Sequence, residues 1–349
     1  MAAFGIGRRV ISAGGPCFVI AEAGSNHNGD LAMAVALIDV AAQAGADAVK
    51  FQMFRADALY PPNAGVIDEA RIGAPIHQAL SALELPERWL PTLRDRARDR
   101  GLEFLVSVFD EQSADAADPY VSAFKIASYE LTHHPLIRHV AGKGKPLIIS
   151  TGVAELSEVA ETVAVAREAG ATALALLQCT AEYPAPIESL NLAALVTMRQ
   201  QFDVPTGLSD HSEDPWIGPI AAVALGATVV EKHFTLSNKM PGPDHEFALE
   251  PDELSAMVRS IRMTEVALGS GIKSSQPVEA LRRAFGRRTL FVTTTVEPGT
   301  RFTTENIKIL RCGVHEPGLP PRDYERVLGA KAARKIDSYT PIRAEDVST

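Results

Sequence analysis

Cysteine is scarce in this chain of 349 residues: Cys17, Cys179 and Cys312 stand far apart, and no C-x-x-C spacing occurs. That argues against a disulfide framework and against a thiolate zinc site, so the three are read as reduced thiols. Nor is there a basic stretch large enough to neutralise a phosphate backbone. With a formal net charge of -9 the chain is not expected to bind nucleic acid, and an anionic ligand would need a local pocket of Lys and Arg. No apolar run reaches the roughly 20 residues that span a bilayer, and MAAFGIGRRV lacks the apolar region of a secretion signal, so a cytoplasmic protein with no membrane partner is expected. G-x-S-x-G is missing, and with it any sign of a nucleophile elbow.

The chain does have apolar runs of strand length. Hydrophobic residues make up 46% of it, enough for one large core and a smaller second one. The runs start at Phe18 (FVIA), Asp47 (DAVKFQ), Glu103 (EFLVSV), Ala123 (AFKIA), Pro146 (PLIIS), Ala173 (ALALLQ), Pro205 (PTGLS) and Thr228 (TVVEKH). Each is nearly continuous rather than alternating, as strands buried on both faces should be. Between them lie helical patterns such as LAMAVALIDVAAQAG and ELSEVAETVAVAREAG. A phrase also repeats, AGADAVKF, AGATALAL and LGATVVEK, in which Gly ends a helix in the left-handed conformation and a strand follows. Eight such units predict an α/β fold, a parallel (β/α)8 TIM barrel over residues 1–270. An open doubly wound sheet is the rival, but GSNHNGD after the first strand is not its G-x-G-x-x-G fingerprint. Residues 271–286, polar and basic, read as a linker, and 287–349, rich in Thr and Val with a Pro-Gly turn at Pro298 and Gly299, read as a small β-rich domain.

Two histidines, His211 in GLSDHS and His233 in VVEKHF, end the seventh and eighth strands. Neighbouring strands of a barrel would put both on the rim that carries chemistry, as a pair of metal ligands. With no cysteine or third histidine the site stays open to water and substrate oxygen. That suits a divalent ion such as Mn²⁺, with Mg²⁺ or Co²⁺ the other candidates. Asp210 and Asp244 would brace a metal ligand or contact substrate on this reading, or else simply cap a loop. Charges at strand ends form the next set: Glu22, Lys50, Lys125, Glu130 and Glu231, with hydroxyls at Ser107, Ser128 and Ser150. Ammonium groups and hydroxyls converging on one rim make an anion site, for which phosphate fits best. A lysine that merely pairs with Glu22 or Glu130 produces the same pattern. Tyr183, in a Pro-restricted loop, either lines a pocket or packs; Arg311 reads as a surface residue; His27, His133, His134 and His245 fall outside the metal site.

Taken together and in order, EAGSNHNGD, VKFQ, FKIASYE, IISTG, YPAP, GLSDHS, EKHFT and PGPDH resemble the sialic acid synthase family, and TLFVTTTVEPGTRFTTENIKILR resembles its C-terminal antifreeze-like (SAF) domain. The resemblance implies a transferase that condenses phosphoenolpyruvate with an N-acetylated amino sugar aldehyde, and a domain-swapped homodimer in which the SAF domain of one protomer covers the barrel of the other. It makes Glu22 the catalytic glutamate, joined in catalysis by the metal ligands His211 and His233. It makes Lys50, Gln52, Ser107, Lys125, Ser128 and Ser150 the phosphoenolpyruvate site. Glu130, Tyr183 and Asp244, with Arg311 from the partner protomer, become sugar contacts. The family's neuraminate branch often has HCTN where this chain reads QCTA, with Gln178 and Ala181 in place of the His and Asn. Loss of that amide points away from N-acetylmannosamine, and TAEYPAP and KHFTL resemble instead the synthases of legionaminic or pseudaminic acid, which accept diacetamido trideoxy sugars. The rivals are a Schiff-base aldolase using Lys50 or Lys125 and a barrel that binds sugar without catalysis.

Overall fold

The three glycines of the repeated phrase, Gly45, Gly170 and Gly226, have φ of 80°, 99° and 87°. A side chain is disfavoured in that region, so glycine lets the helix stop and the backbone turn into the next strand. The helices they follow are Leu31–Ala44, Leu156–Glu168 and Ile217–Ala224. The first is opened by the Asp30 carboxylate, which accepts from Ala32 N, and the second by a reciprocal capping box between Glu155 and Glu158.

The computed structural model describes residues 3–66 and 74–348. It divides into two units, Met1–Gly269 and Ser270–Thr349. The first unit begins with a hairpin, β1 (Phe4–Ile6) and β2 (Arg9–Ile11). Eight parallel strands follow: β3 (Phe18–Gly24), β4 (Ala48–Met53), β5 (Glu103–Val108), β6 (Ala123–Ile126), β7 (Leu147–Ser150), β8 (Leu174–Cys179), β9 (Thr206–Asp210) and β10 (Val229–His233). They close in the order β10-β3-β4-β5-β6-β7-β8-β9, the ring expected from the eight apolar runs.

The barrel has two cores because side chains alternate along a strand. One set, with Val19, Val49, Phe51, Val106, Phe124 and Ile149, packs outward against the helices. The other fills the barrel: Phe18, Ile20, Ala48, Leu105, Ala123, Ile148, Leu177 and Val229. Ile6 and Ile11 of the hairpin belong to this inner cluster and are fully buried. The hairpin thus stoppers the N-terminal end of the barrel, a role the short β1 and β2 gave no periodicity to predict.

One carboxylate ties the same end together. Asp47 accepts from Val19 N at 2.8 Å and from Arg262 Nη2 at 2.6 Å, and Arg9 Nη2 lies 3.3 Å from its other oxygen. Arg262 sits on the last barrel helix, Pro251–Leu268, and also donates to Cys17 O. Glu265 accepts from Cys17 N, so the final helix is stapled to the start of the first strand.

In the second unit β11 (Arg288–Val292) pairs antiparallel with β12 (Ile307–Arg311), and β13 (Lys331–Ala332) with β14 (Val347–Ser348). Leu290, Val292, Phe302, Ile307, Val327 and Ile342 make its core. The stretch read from composition as a linker carries a 3-10 turn, Pro277–Glu279, and a helix, Ala280–Gly286. Glu, Ala, Leu and Arg are good helix formers, and here that local preference outweighs the polar character of the stretch.

Removing the stopper's side chains tests its contribution. Ile11→Ala should lower unfolding free energy by about 2–5 kcal/mol in urea denaturation, the range for a buried Ile truncated in a packed core. A loss below about 1 kcal/mol would mean that the hairpin does not seal the barrel.

Candidate active site

Two residues further along the inward-facing rows, the barrel interior changes from apolar to ionic. Ile20 gives way to Glu22, Ala48 to Lys50, Leu105 to Ser107, Ala123 to Lys125, Ile148 to Ser150, Leu177 to Cys179 and Val229 to Glu231. The change falls toward the C-terminal ends of the strands, where barrel enzymes keep their chemistry.

The four charges of this layer are almost fully buried and pair with one another. Lys50 Nζ is 2.8 Å from Glu22 Oε2, 3.7 Å from Glu231 Oε1, and donates to Ser107 Oγ at 2.7 Å. Lys125 Nζ is 3.5 Å from Glu231 Oε1. Gln52 Nε2 donates to Glu22 Oε1 at 3.0 Å, and Ser209 Oγ donates to Glu231 Oε1 at 3.0 Å. The two glutamates differ in surroundings. Burial pushes the Glu22 carboxyl up, opposed by Lys50 and reinforced by Glu231. Burial also works to raise Glu231, but Lys125 and Lys50 outweigh it and hold that carboxyl below its ordinary value. Burial lowers Lys125 against the pull of Glu231. Glu231 is therefore the standing anion, and Glu22 is the group pushed toward its neutral form.

Above this layer sit the two histidines, their ring centroids 5.4 Å apart. His211 Nδ1 meets Thr180 O at 2.8 Å, and a carbonyl only accepts, so Nδ1 carries hydrogen and Nε2 of the neutral ring keeps its lone pair. Burial pulls His211 down, but Cys179, the Thr180 carbonyl and Glu231 outweigh it and the net shift is upward. His233 is held well below its ordinary value by burial and by the charge of His211, so the two rings do not protonate together. Tyr183 stacks on His211 at 4.2 Å between centroids, and Phe247 packs against both Tyr183 and His233. Burial pushes the Tyr183 hydroxyl well up, which keeps it neutral.

The donor set fits a borderline divalent cation. His233 Nδ1 is buried with no hydrogen-bond partner among the described residues, and the tautomer of His211 leaves Nε2 available. Asp244 Oδ2 lies 3.8 Å from His233 Nδ1. Among the described residues no group of three or more His, Cys, Asp or Glu side chains is arranged to hold a metal.

The other sequence candidates fall around the same mouth. Ser128 Oγ accepts from Gly152 N at 3.0 Å, and Ser150 Oγ is buried with no partner among the described residues. A methyl group added at Gly152 would lie 2.8 Å from Ser128 Oγ and 3.2 Å from the Ala181 methyl, so Ala181 stands beside that serine. Glu130 follows β6; its Oε2 has no partner among the described residues, and burial pushes its carboxyl up to about 7. Asp244 approaches Gly24, where a methyl would meet its Oδ2 at 3.0 Å. Arg311 belongs to the second unit, at the end of β12. It lines a cleft of about 570 Å³ with Lys273, Arg282, Arg283 and Arg287, none ion-paired among the described residues.

Three histidines set aside on sequence take structural roles. His27 packs edge-on against Trp89, His133 accepts from Leu136 N at a helix start, and His245 bonds Thr235 and Asn28. Sequence reasoning missed Cys179, whose Sγ lies 3.8 Å from His211 Nδ1, and Ser209; the inward parity of β8 and β9 is the signal that would have found them. Lys232 was missed too, and gave no such signal.

Comparison with known proteins gives the family of the barrel and of the C-terminal domain. The NeuB family model matches residues 37–273 and the SAF domain model residues 287–348. The spore coat polysaccharide biosynthesis protein SpsE of Bacillus subtilis is 43% identical over 99% of this chain and 98% of its own. The N,N'-diacetyllegionaminic acid synthase of Legionella pneumophila is 38% identical over 95% of this chain and 94% of its own. A crystal structure of N-acetylneuraminic acid synthetase from Leptospira borgpetersenii, in complex with citrate, superposes with a TM-score of 0.73 at 30% identity, covering 80% of this chain and 95% of that one.

The buried Glu130 carboxyl makes a pH prediction. With its value raised from 4.5 to about 7, the folded state holds a proton that the unfolded chain has released. The resulting stability is fully present below pH 4.5 and is lost as pH rises through about 7. Glu130→Gln should therefore gain stability relative to the parent between pH 5 and 8, by about 2–3 kcal/mol at most. A difference that stays flat across that range, read by urea unfolding at each pH, would contradict the assignment.

Proposed function

The chain belongs to the NeuB family and carries a SAF domain, and from that premise we propose that it is a transferase joining phosphoenolpyruvate, an open-chain N-acetylated amino sugar and water into a nine-carbon nonulosonic acid and phosphate. The observation that carries this reading is the buried layer of Glu22, Lys50, Lys125 and Glu231 beneath the His211–His233 pair. It puts cations for a trianionic donor next to ligands for a carbonyl-polarising ion.

In this reading Lys50 and Lys125, with Gln52, Ser107, Ser128 and Ser150, hold the phosphate and carboxylate of phosphoenolpyruvate. The unpartnered Ser150 hydroxyl supports that role, because a buried hydroxyl without a partner costs free energy unless a ligand supplies one. His211 and His233 would hold a divalent ion, Mn²⁺ by the borderline character of imidazole, and when bound it supplies a Lewis acid for the aldehyde oxygen. Carbon 3 of the enol attacks the aldehyde carbon, positive charge grows at carbon 2, and Glu22 lies among the groups that face that charge. Water adds at carbon 2, and the phosphate leaves with the bridging oxygen. In its ionised form Glu22 can take the proton that water gives up, and burial, by raising its proton affinity, makes it the stronger base for that step. Glu130, Tyr183 and Asp244 face the sugar, and Arg311 reaches it from a partner protomer.

The acceptor we propose is a diacetamido trideoxy hexose. Ala181 beside Ser128 leaves no amide at a position where the neuraminate pattern has one, and a diacetyllegionaminic acid synthase is among the chain's relatives. The protein works as a homodimer on this reading. Tyr129, Val153, Leu156, Ile187, Trp216 and Ile217 are exposed around the mouth, an apolar rim that a covering surface would bury.

Phosphate release should be highest with one diacetamido epimer in a panel that includes both epimers and N-acetylmannosamine; equal or better turnover of the last would overturn the acceptor. With ¹⁸O in the bridging position, the label should leave in phosphate. Label kept at carbon 2 would rule out the route. Chelation should abolish turnover and Mn²⁺ restore it, whereas borohydride trapping of pyruvate on a lysine would instead establish a Schiff-base aldolase.

A further inference from the structure

We propose that the buried Lys232–Asp210 pair is a positioning device that fixes the spacing of His211 and His233, and through it the affinity of the site for a divalent cation. The inference rests on reading the two histidines as metal ligands. Along β10, Glu231 and His233 face the barrel interior, so Lys232 between them points the other way. An outward lysine would ordinarily reach water, yet this one is among the largest fully buried side chains of the protein.

Its ammonium is spent on the segment that carries the other histidine. Lys232 Nζ is 2.8 Å from Asp210 Oδ2, 3.1 Å from Ser212 Oγ and 3.0 Å from Asp214 O, and it also donates to Ser212 O. Asp210 in turn accepts from Ser212 N through Oδ1 at 2.9 Å. The residues immediately before and after His211 are thus both tied to the residue immediately before His233. What remains of His211 is fixed from the loop after β8: Thr180 O takes the ring hydrogen, and His211 O accepts from Ala185 N at 3.0 Å. The imidazole pair is therefore framed by β10 on one side and by the loop after β8 on the other.

A buried ion pair is a poor way to stabilise a fold, since well-packed apolar residues of similar volume do as well or better. Geometry gives this pair another use. It converts the spacing between two strands into a spacing between two ligands, and outer partners of that kind commonly tune metal affinity 10- to 100-fold. The helix above respects it: a methyl group at Gly218 would come within 2.7 Å of Asp210 Oδ2, so only glycine leaves the carboxylate where Lys232 meets it.

The test separates positioning from stability. Lys232→Met alone strands a buried carboxylate and should lower Tm sharply. Lys232→Met with Asp210→Leu removes both charges and should recover Tm, while Mn²⁺ affinity, read by electron paramagnetic resonance of the free ion, stays at least tenfold weaker than in the parent. Gly218→Ala keeps both charges and presses on Asp210; it should also weaken Mn²⁺ binding and lower kcat, with KM for phosphoenolpyruvate unchanged. A folded double variant, or a folded Gly218→Ala variant, that binds Mn²⁺ within twofold of the parent overturns the proposal and leaves the metal reading standing. A parent that binds no Mn²⁺, or His211→Ala binding as the parent does, overturns both.

Discussion

Charge held inside a protein core is the constraint on which the mouth of this barrel depends. Taking an ammonium or a carboxylate out of water costs several kcal/mol unless partners replace the lost solvation. Glu22, Lys50, Glu231 and Lys125 replace it largely for one another, in a ring only one step above an apolar floor. The ring is not closed. Glu231 Oε2, Ser150 Oγ and His233 Nδ1 are buried without partners among the described residues. Few buried polar atoms in folded proteins are left so. Their gathering at one end of one barrel marks where a polar ligand is wanted.

That arrangement follows from the simplest property of a strand. Because side chains alternate, a single sequence run can build the helix-facing core with Val19, Val49 and Val106 while its other parity passes from Ile20 and Leu105 to Glu22 and Ser107. The nearly unbroken hydrophobicity of each run made the eight strands legible, and glycine at the repeated turns made the crossovers legible as well. The strand-end histidines stood out for the same reason: an imidazole is conspicuous after VVEK or GLSD.

What stayed hidden shows where such reading stops. Lys232 neighbours two inward-facing residues and looks like a solvated charge, since nothing in EKH says that its ammonium finds Asp210 and the Ser212 carbonyl across a strand. Gly218 looks like an ordinary helix residue until Asp210 lies against it. The hairpin with Ile6 and Ile11 is three residues per strand, too short for any period to emerge. In each case the missing information is a contact between residues distant in sequence, which neither composition nor spacing encodes. Arg311 belongs to the same class, as its surroundings alone read as a basic surface cleft.

The staple at the other end of the barrel bears on how the chain reaches this state. Arg262 meets Asp47 across a sequence separation of 215, and Glu265 meets Cys17 across 248. Until the ribosome has released β10, β3 has only one strand neighbour, and its free backbone edge stays exposed to other chains. Ring closure of this kind is a slow, high-contact-order step. A nascent chain of this protein therefore carries its hazard of misassociation through most of the barrel's synthesis, and sheds it when β10 pairs with β3 and the final helix clamps the joint.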